Sequence, residues 1–250
     1  MIRAAVLDLD GTLIGVGQEI SARVARAVRQ LSGELPVVIA TGREASEAIR
    51  FARQLGLSTP QICDGGAMIV DPAVGGPVWT APLGPGQAQG IVESLDAKGA
   101  AFFATHPGGS FRSIAKVTHW NLTRVSAMNL DEHGADRMVS SFNTNPALNV
   151  VKVFLPYNGL WAVDFTRSGV DKASATLEMA RMIEVDAGHM VAVGDSYNDL
   201  PLLRLCGLGI AMGDAPDELK AIADYVAPPV EEDGLAVAIE DFILPRLRRL

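Results

Sequence analysis

The N-terminal segment of the chain reads Ala4-Ala5-Val6-Leu7-Asp8-Leu9-Asp10-Gly11-Thr12-Leu13. Its first four residues form a continuous apolar run, which is typical of a strand buried on both faces. Because alternate residues point the same way as a chain leaves a strand, Asp8 and Asp10 can share one cleft at the carboxyl edge of a sheet. Two carboxylates that lie close together repel each other unless a cation or a proton intervenes. An isolated segment of this kind is also typical of a capped turn, so its meaning depends on the rest of the chain.

Buried strands alternate with helices on both sides of a long central stretch. Before it, the pattern predicts a helix from Ser21 to about Leu31, a strand at 36–40, a helix at 44–55 and a strand at 60–63. After it come helices at 173–184, 199–205 and 216–223, strands at 190–193, 208–212 and 224–227, and a closing helix at 234–248. Such alternation favours an α/β fold with a doubly wound, parallel, Rossmann-like core.

The central stretch has a different pattern, and two predicted linkers bracket it, at 81–86 and 166–169. Between them the sequence predicts helices at about 87–98 and 131–140 and strand-like runs at 100–105, 111–117, 150–155 and 160–165. Strands that follow one another across short turns favour an antiparallel α+β unit. We therefore expect residues 1–82 and 168–250 to form the core domain, with a smaller α+β domain inserted at 83–167.

Composition excludes several classes of protein. The 250 residues are 48% hydrophobic, enough for one large core or for a core domain with a smaller one. The formal net charge is −8, and no Lys/Arg cluster precedes Arg246-Leu247-Arg248-Arg249, which disfavours a nucleic-acid partner. An acidic protein that handles an anionic substrate must concentrate positive charge locally, in practice with a metal ion and a lysine.

The chain carries no segment near the roughly 20 apolar residues of a membrane span, so no membrane partner is expected. Residues 1–9 hold only a short apolar run that ends in acids, so we expect no signal peptide and a cytoplasmic location. Cys63 and Cys206 stand in apolar contexts without a Cys-x-x-Cys spacing, which predicts two buried thiols. The sequence does not distinguish a monomer from a homodimer.

Three further segments bear on Asp8 and Asp10. Ala40-Thr41-Gly42-Arg43 follows the second strand and brings a hydroxyl and open backbone amides to the same edge of the sheet. Lys172 opens a helix, where the helix dipole favours anions, so a cation there has no benefit from it. Gly194-Asp195-Ser196-Tyr197-Asn198-Asp199 follows a buried strand and supplies two more acids. Each is weak or moderate alone, but all come in order at or beside the carboxyl ends of predicted parallel strands.

Together these four segments resemble the haloacid dehalogenase superfamily, and the resemblance covers essentially the whole chain. Thirty-three residues separate Asp8 from Thr41, and 131 separate Thr41 from Lys172, so the inserted domain lies in the second interval. An α+β cap at that place is similar to the cap of the Cof-like phosphatases. The segment Gly209–Ala215 and the turn at 231–234 also resemble Cof-like chains.

The resemblance implies a role for each site residue. Asp8 is the nucleophile that forms an aspartyl phosphate, and Asp10 is the general acid and then the general base. Mg²⁺ is implied as the cofactor, held by Asp8, the backbone carbonyl of Asp10 and Asp195, with Asp199 as a ligand through water or as a support. The phosphate-binding residues implied by the resemblance are Thr41, Gly42, Lys172 and Asn198.

Asp10 is the most diagnostic of these residues. An acid two positions after the nucleophile is needed to protonate an alcohol leaving group and then to activate water. Haloalkanoic acid dehalogenases have no such need, and transport ATPases carry threonine there. We therefore predict a Mg²⁺-dependent phosphatase for small phosphorylated metabolites, such as sugar phosphates or phosphoglycolate.

Two departures from the Cof-like pattern stand out. Asp64 and Asp214 take places where these proteins usually carry asparagine, and Lys172 is followed by Ala173 rather than glycine. None of these removes a catalytic group, but Asp64 near the substrate entrance would disfavour very anionic leaving groups. We expect His106, His119, His133 and His189, like the three tryptophans, to serve packing rather than catalysis.

Two other functions stay open at this point. A phosphotransferase or phosphomutase is the nearest alternative, because eukaryotic phosphomannomutases share this capped architecture; the acceptor, water or sugar, separates the two. A non-catalytic regulator that binds Mg²⁺ or a ligand is the other. Such a protein would tolerate the loss of Asp8 or Asp10, and this chain keeps both.

Overall fold

The computed structural model describes residues 1–155 and 158–247. Within these residues the strands are, in chain order, β1 (Ala4–Asp8), β2 (Val37–Ala40), β3 (Gln61–Cys63), β4 (Met68–Asp71), β5 (Gly76–Thr80), β6 (Phe102–His106), β7 (Gly109–Phe111), β8 (Arg124–Leu130), β9 (Leu148–Leu155), β10 (Leu160–Arg167), β11 (Met190–Gly194), β12 (Leu208–Ala211) and β13 (Tyr225–Val226). The α-helices are α1 (Ala22–Ser32), α2 (Ala45–Leu55), α3 (Pro85–Ala97), α4 (Glu132–Phe142), α5 (Lys172–Met182), α6 (Leu200–Leu205), α7 (Asp217–Lys220), α8 (Gly234–Val237) and α9 (Leu244–Leu247). A π-helical stretch, Ala238–Ile243, joins α8 to α9.

The larger sheet has the strand order β13-β12-β11-β1-β2-β3-β4-β5. The six strands from β13 to β3 pair in parallel, as the sequence predicted. Strands β4 and β5 were not predicted from the sequence, and they continue the sheet as an antiparallel hairpin. Their pattern is weak because β5 is half exposed and contains Pro77, a residue that sheets tolerate at an edge. The core is therefore a mixed sheet whose central strands are parallel.

Helices cover both faces of the parallel strands. Alternate strand residues such as Leu7 and Ile39 pack with α1 and the closing helices on one face. Their neighbours, such as Val6 and Val38, pack with α5, α6 and α7 on the other. Because both faces of β1 are covered, its sequence is apolar throughout until the chain reaches Asp8. The fold thereby places the Asp8 side chain at the carboxyl edge of a sheet whose two faces are buried.

The smaller sheet is antiparallel, with the order β7-β6-β8-β10-β9, and lies in sequence between β5 and α5. Helices α3 and α4 pack on it around a separate apolar core that includes Leu95, Val125 and Phe165. We call residues 85–167 the inserted unit and the rest of the described chain the core unit. The insertion of an α+β unit agrees with the prediction, while the domain boundaries at 82/83 and 167/168 stay predictions.

Three details of the inserted unit differ from the expectation. The run at 111–117 is not one strand, because β7 ends at Phe111 and Ile114–Lys116 forms a 3-10 turn. The predicted linker at 166–169 is wrong in its first half, because β10 extends to Arg167. Strand β8 was not predicted, since polar residues such as Arg124 and Ser126 are typical of an exposed loop, although both are buried here.

The closing helix predicted at 234–248 is divided by the π-helical stretch, and residue 248 lies outside the described residues.

None of the helices in residues 1–155 and 158–247 has the length and apolar content that crossing a bilayer requires.

Candidate active site

Asp8 ends β1 and is 4% exposed. The chain then turns back within a few residues, as the backbone N–H of Gly11 donates to the carbonyl of Ile14 at 2.8 Å. Gly11 has a φ of +85°, and a β-carbon there would lie 2.2 Å from an oxygen of Asp195. Glycine is therefore required in this turn both for the backbone conformation and for the close approach of Asp195.

Lys172 is the first residue of α5, whose N-cap Asp171 accepts a hydrogen bond from the backbone of Ser174. The Lys172 side chain is 2% exposed, and its Nζ lies 2.5 Å from Asp8 Oδ1 and 2.7 Å from Asp199 Oδ1. Burial alone would lower the pKa of Lys172, but the attraction of Asp199 and Asp8 outweighs it and raises this pKa above its ordinary value. Lys172 is thus a permanent cation beside Asp8, in spite of its place at a helix N-terminus.

The segment after β11 is fixed by Asp199. One oxygen of this buried carboxylate, Oδ2, accepts from the backbone N–H groups of Asp195 at 3.1 Å and Ser196 at 3.2 Å. The other, Oδ1, accepts from Lys172. A β-carbon at Gly194 would lie 2.5 Å from Asp199 Cγ, which explains the glycine at the end of the strand. Asn198 adds a 3.3 Å contact between its Oδ1 and Lys172 Nζ.

Asp8, Asp195 and Asp199 each offer an oxygen, and these three oxygens lie within 4.8 Å of one another. With Lys172 they form a group that we call the carboxylate cluster. Burial first, and then the charge of Asp8, raises the pKa of Asp195 to about 10. Burial likewise raises the pKa of Asp8 to about 7, although Lys172 opposes this. Asp195 Oδ1 is buried without a hydrogen-bond partner among the described residues.

The carboxylate cluster therefore has three acids for one lysine. An oxygen-only donor set with unbalanced negative charge suits a hard divalent cation, and Mg²⁺ is the ion that such partly hydrated sites take. The residues present fit the predicted magnesium ion.

Thr41 and Gly42 follow β2, the neighbour of β1, in which Ala40 pairs with Asp8. Thr41 is fully buried, and its Oγ1 accepts from the backbone N–H of Arg43 at 3.0 Å. A β-carbon at Gly42 would meet nothing within 4 Å, so the packing does not require a glycine there. Both residues thus lie at the same edge of the sheet as Asp8, as the strand order implies.

Asp10 is paired with an arginine rather than with Lys172. Its two oxygens accept from Arg43, at 2.9 Å from Nε and 2.5 Å from Nη2, in a bidentate pair. Arg43 also donates to Gln18 and to Glu47. No role was predicted for Arg43 from the sequence, although its place directly after Thr41-Gly42 was the available signal.

A second group of buried charges joins the core unit to the inserted unit. Asp64, in the 3-10 turn after β3, is fully buried and accepts a 2.7 Å hydrogen bond from the hydroxyl of Thr123. Arg124 lies 3.6 Å from Asp64 and 3.0 Å from Asp164, and Ser126 donates to Asp164 at 2.5 Å. We call these five residues the Arg124 network. Sequence reasoning could not find it, because Arg124 and Ser126 stand on β8, the strand that was missed.

Two of the histidines pack against aromatic rings, while His133 and His189 are exposed. His106 stacks on Phe111 with ring centroids 4.5 Å apart, and His119 packs edge-on against both rings. Trp161 packs against Phe154 in the inserted unit. Cys63 and Cys206 are buried free thiols, which confirms their prediction.

Comparison with known proteins agrees with this architecture. Residues 5–154 and 113–239 match the family of haloacid dehalogenase-like hydrolases. A 5-amino-6-(5-phospho-D-ribitylamino)uracil phosphatase of Bacillus subtilis is 27% identical over 97% of this chain and 96% of its own. A phosphoglycolate phosphatase of Natronomonas pharaonis is 27% identical over 96% of this chain and 97% of its own. The crystal structure of a haloacid dehalogenase-like hydrolase from B. subtilis superposes with a TM-score of 0.85, at 19% identity, over 96% of this chain and all of that one.

Proposed function

The chain belongs to the haloacid dehalogenase-like hydrolases, in their Cof-like group of phosphatases, and on that premise we propose that it hydrolyses phosphomonoesters of small metabolites through an aspartyl phosphate on Asp8. One observation carries the proposal. Asp8 is buried at the end of β1 with one oxygen held by Lys172, in a cluster whose negative charge the protein alone does not balance. A carboxylate held in this way becomes a useful nucleophile once the charge of the phosphoryl group is offset.

Mg²⁺ would be held by Asp8 and Asp195, with the backbone carbonyl of Asp10. When bound, it would offset the negative charge of the phosphoryl oxygens. Asp199 would serve as a support rather than a direct ligand, since Lys172 and two backbone amides already occupy its oxygens. Lys172, Thr41, Gly42 and Asn198 would hold the phosphoryl group in line with the free oxygen of Asp8.

In the first half-reaction, the Asp8 oxygen attacks phosphorus and the bond from phosphorus to the alcohol oxygen breaks. Asp10, once it has parted from Arg43 and taken up a proton from solvent, donates that proton to the leaving oxygen. Because Arg43 binds both oxygens of Asp10, the Asp10 side chain must part from Arg43 to do so. Arg43 would thus act as a positioning residue that holds Asp10 until substrate arrives.

In the second half-reaction, Asp10 is a carboxylate and takes a proton from water while the water oxygen attacks phosphorus. The bond between phosphorus and Asp8 breaks, inorganic phosphate leaves, and both carboxyl groups return to their starting state. The inserted unit packs over the same edge of the core unit through the Arg124 network, and it would exclude bulk water during both steps.

The test is release of inorganic phosphate from p-nitrophenyl phosphate and from a panel of phosphorylated metabolites. We expect turnover with Mg²⁺, its loss on treatment with EDTA, and its return when Mg²⁺ is added in excess. Hydrolysis that proceeds at the same rate in EDTA would contradict the proposed site.

A further inference from the structure

A cleft of about 190 Å³ lies between the two units. One wall comes from the start of α2 and the turn after β3, and the other from the β6–β7 hairpin of the inserted unit. The polar residues that line it are Glu44, Ser46, Asp64, Thr105, His106 and Ser110.

The cleft adjoins the residues proposed to hold the phosphoryl group. Glu44 directly follows the segment Thr41–Arg43 in the chain. The backbone N–H of Asp64 donates to the carbonyl of Arg43 at 2.8 Å, and that of Gly65 donates to the carbonyl of Thr41 at 3.1 Å. A phosphate ester bound at Asp8 would therefore extend its leaving group along this wall.

The lining of the cleft is rich in hydrogen-bond acceptors and hydroxyls. It holds two carboxylates, Glu44 and Asp64, and among the described residues neither a lysine nor an arginine. Asp64 Oδ1 is fully buried and receives no hydrogen bond from the described chain. Burial and the neighbouring His119 lower the pKa of His106, so this imidazole is neutral near pH 7.

Two arginines that contact or adjoin the lining residues are already engaged. Arg124 is shared between Asp64 and Asp164 and does not line the cleft. Arg43 is bound to Asp10, Gln18 and Glu47. A leaving group with a carboxylate would face Glu44 and Asp64 with no lysine or arginine in the described lining, whereas a hydroxyl can donate a hydrogen bond to a carboxylate oxygen.

We propose that the cleft receives an uncharged, hydroxyl-bearing leaving group, and that Glu44 and Asp64 select against phosphate esters whose leaving group ends in a carboxylate. The inference rests on the proposed phosphatase function and names the substrate class of that same site. The cleft is smaller than the roughly 300–1,000 Å³ of pockets for drug-sized ligands, so it suits a polyol of a few carbons.

A matched pair of esters tests this selection. Glycerol 3-phosphate and 3-phosphoglycerate differ only in whether the far carbon is an alcohol or a carboxylate. With Mg²⁺ at pH 7.5 we expect kcat/KM to favour glycerol 3-phosphate by at least about tenfold, the scale on which one uncompensated charge in a site discriminates. A ratio of one or less would overturn the inference.

Variants assign the effect to the two carboxylates. Glu44→Gln and Asp64→Asn should each lower the ratio by roughly threefold or more, mainly by improving 3-phosphoglycerate. Glu34→Gln, which removes an exposed carboxylate elsewhere on the core unit, should leave the ratio unchanged. A ratio that stays the same in both Glu44→Gln and Asp64→Asn would overturn the assignment. Should Asp64→Asn fail to fold, Glu44→Gln decides it alone, since Glu44 is only half-buried.

p-Nitrophenyl phosphate separates the two possible failures. If it is hydrolysed with Mg²⁺ but 3-phosphoglycerate is preferred over glycerol 3-phosphate, the charge selection is wrong and the phosphatase function stands. If none of the three esters releases phosphate, the proposed function itself fails and this inference falls with it.

Discussion

The carboxylate cluster and the Arg124 network are both buried, and both join residues far apart in sequence. They differ in how their charges are balanced. In the carboxylate cluster three acids share one lysine, and Asp195 Oδ1 has no partner among the described residues. In the Arg124 network two acids share one arginine, and the hydroxyls of Thr123 and Ser126 donate to them.

That difference indicates different roles: the carboxylate cluster suits catalysis, and the Arg124 network joins the inserted unit to the core unit. Burying a charge is costly unless it is paired and hydrogen-bonded. The Arg124 network comes close to meeting this requirement from within the chain, so it needs no added ion to join the inserted unit to the core unit. The carboxylate cluster does not, because it has a shortage of positive charge; burial, and then the charges of Asp8 and Asp199, raise the pKa of Asp195 to about 10. A bound cation would remove that shortage.

The largest expected effect comes from Asp8→Asn. The amide keeps the shape of the side chain but is not a nucleophile, so kcat for p-nitrophenyl phosphate should fall at least about a thousandfold. Circular dichroism and thermal melting should show that the fold persists. Asp96→Asn, a matched change at an exposed site on α3, should keep full activity. Activity retained in Asp8→Asn would contradict the assignment of the nucleophile.

Arg124→Gln tests the other group. It leaves the buried Asp64 and the partly buried Asp164 without their cation, so we expect a loss of about 3 kcal/mol in the free energy of unfolding. Urea denaturation, followed by circular dichroism, measures this loss. Because the variant leaves the carboxylate cluster intact, the stabilisation that Mg²⁺ gives to the wild type should persist in it. A variant as stable as the wild type would show that the network does not hold the two units together.

Asp195→Asn should change the stability of the free protein least and should specifically reduce the stabilisation by Mg²⁺. At pH 7 the raised pKa of Asp195 means that the free protein already holds this acid protonated, so a neutral amide should change stability little in EDTA. Mg²⁺ at about 100 times its Kd should stabilise the wild type by about 2.7 kcal/mol and the variant far less. Melting curves with and without Mg²⁺ measure both quantities. Equal stabilisation of the two proteins would place the ion elsewhere.

The sequence predicted the parallel core well because its signals are local. Apolar runs of four or five residues, Ser21 as a helix cap and Gly56 in the left-handed region after α2 all act within a few residues. The same holds for the site residues that follow strands, since strand ends in a parallel sheet converge at one edge.

The parts that were missed depend on contacts between distant residues. Strand β8 looks polar, and only its pairing with β10 and the contact of Arg124 with Asp164 explain why it is buried. The bond from Arg43 to Asp10 likewise requires the neighbouring positions of β1 and β2. The hypothesis that Asp64 stands near the substrate entrance left out its hydrogen bond to Thr123, because neither a short pattern nor a spacing contains that partner.

The most direct test of the account is to trap the covalent intermediate. Asp10→Asn should still let Asp8 attack p-nitrophenyl phosphate, whose leaving group needs no proton, but should slow the attack of water. We predict a burst of about one equivalent of nitrophenol per enzyme, and phosphate on Asp8 in peptides from the acid-quenched protein. Nitrophenol release with no phosphate on Asp8, or with phosphate on another residue, would contradict the assignment of Asp8 as the nucleophile.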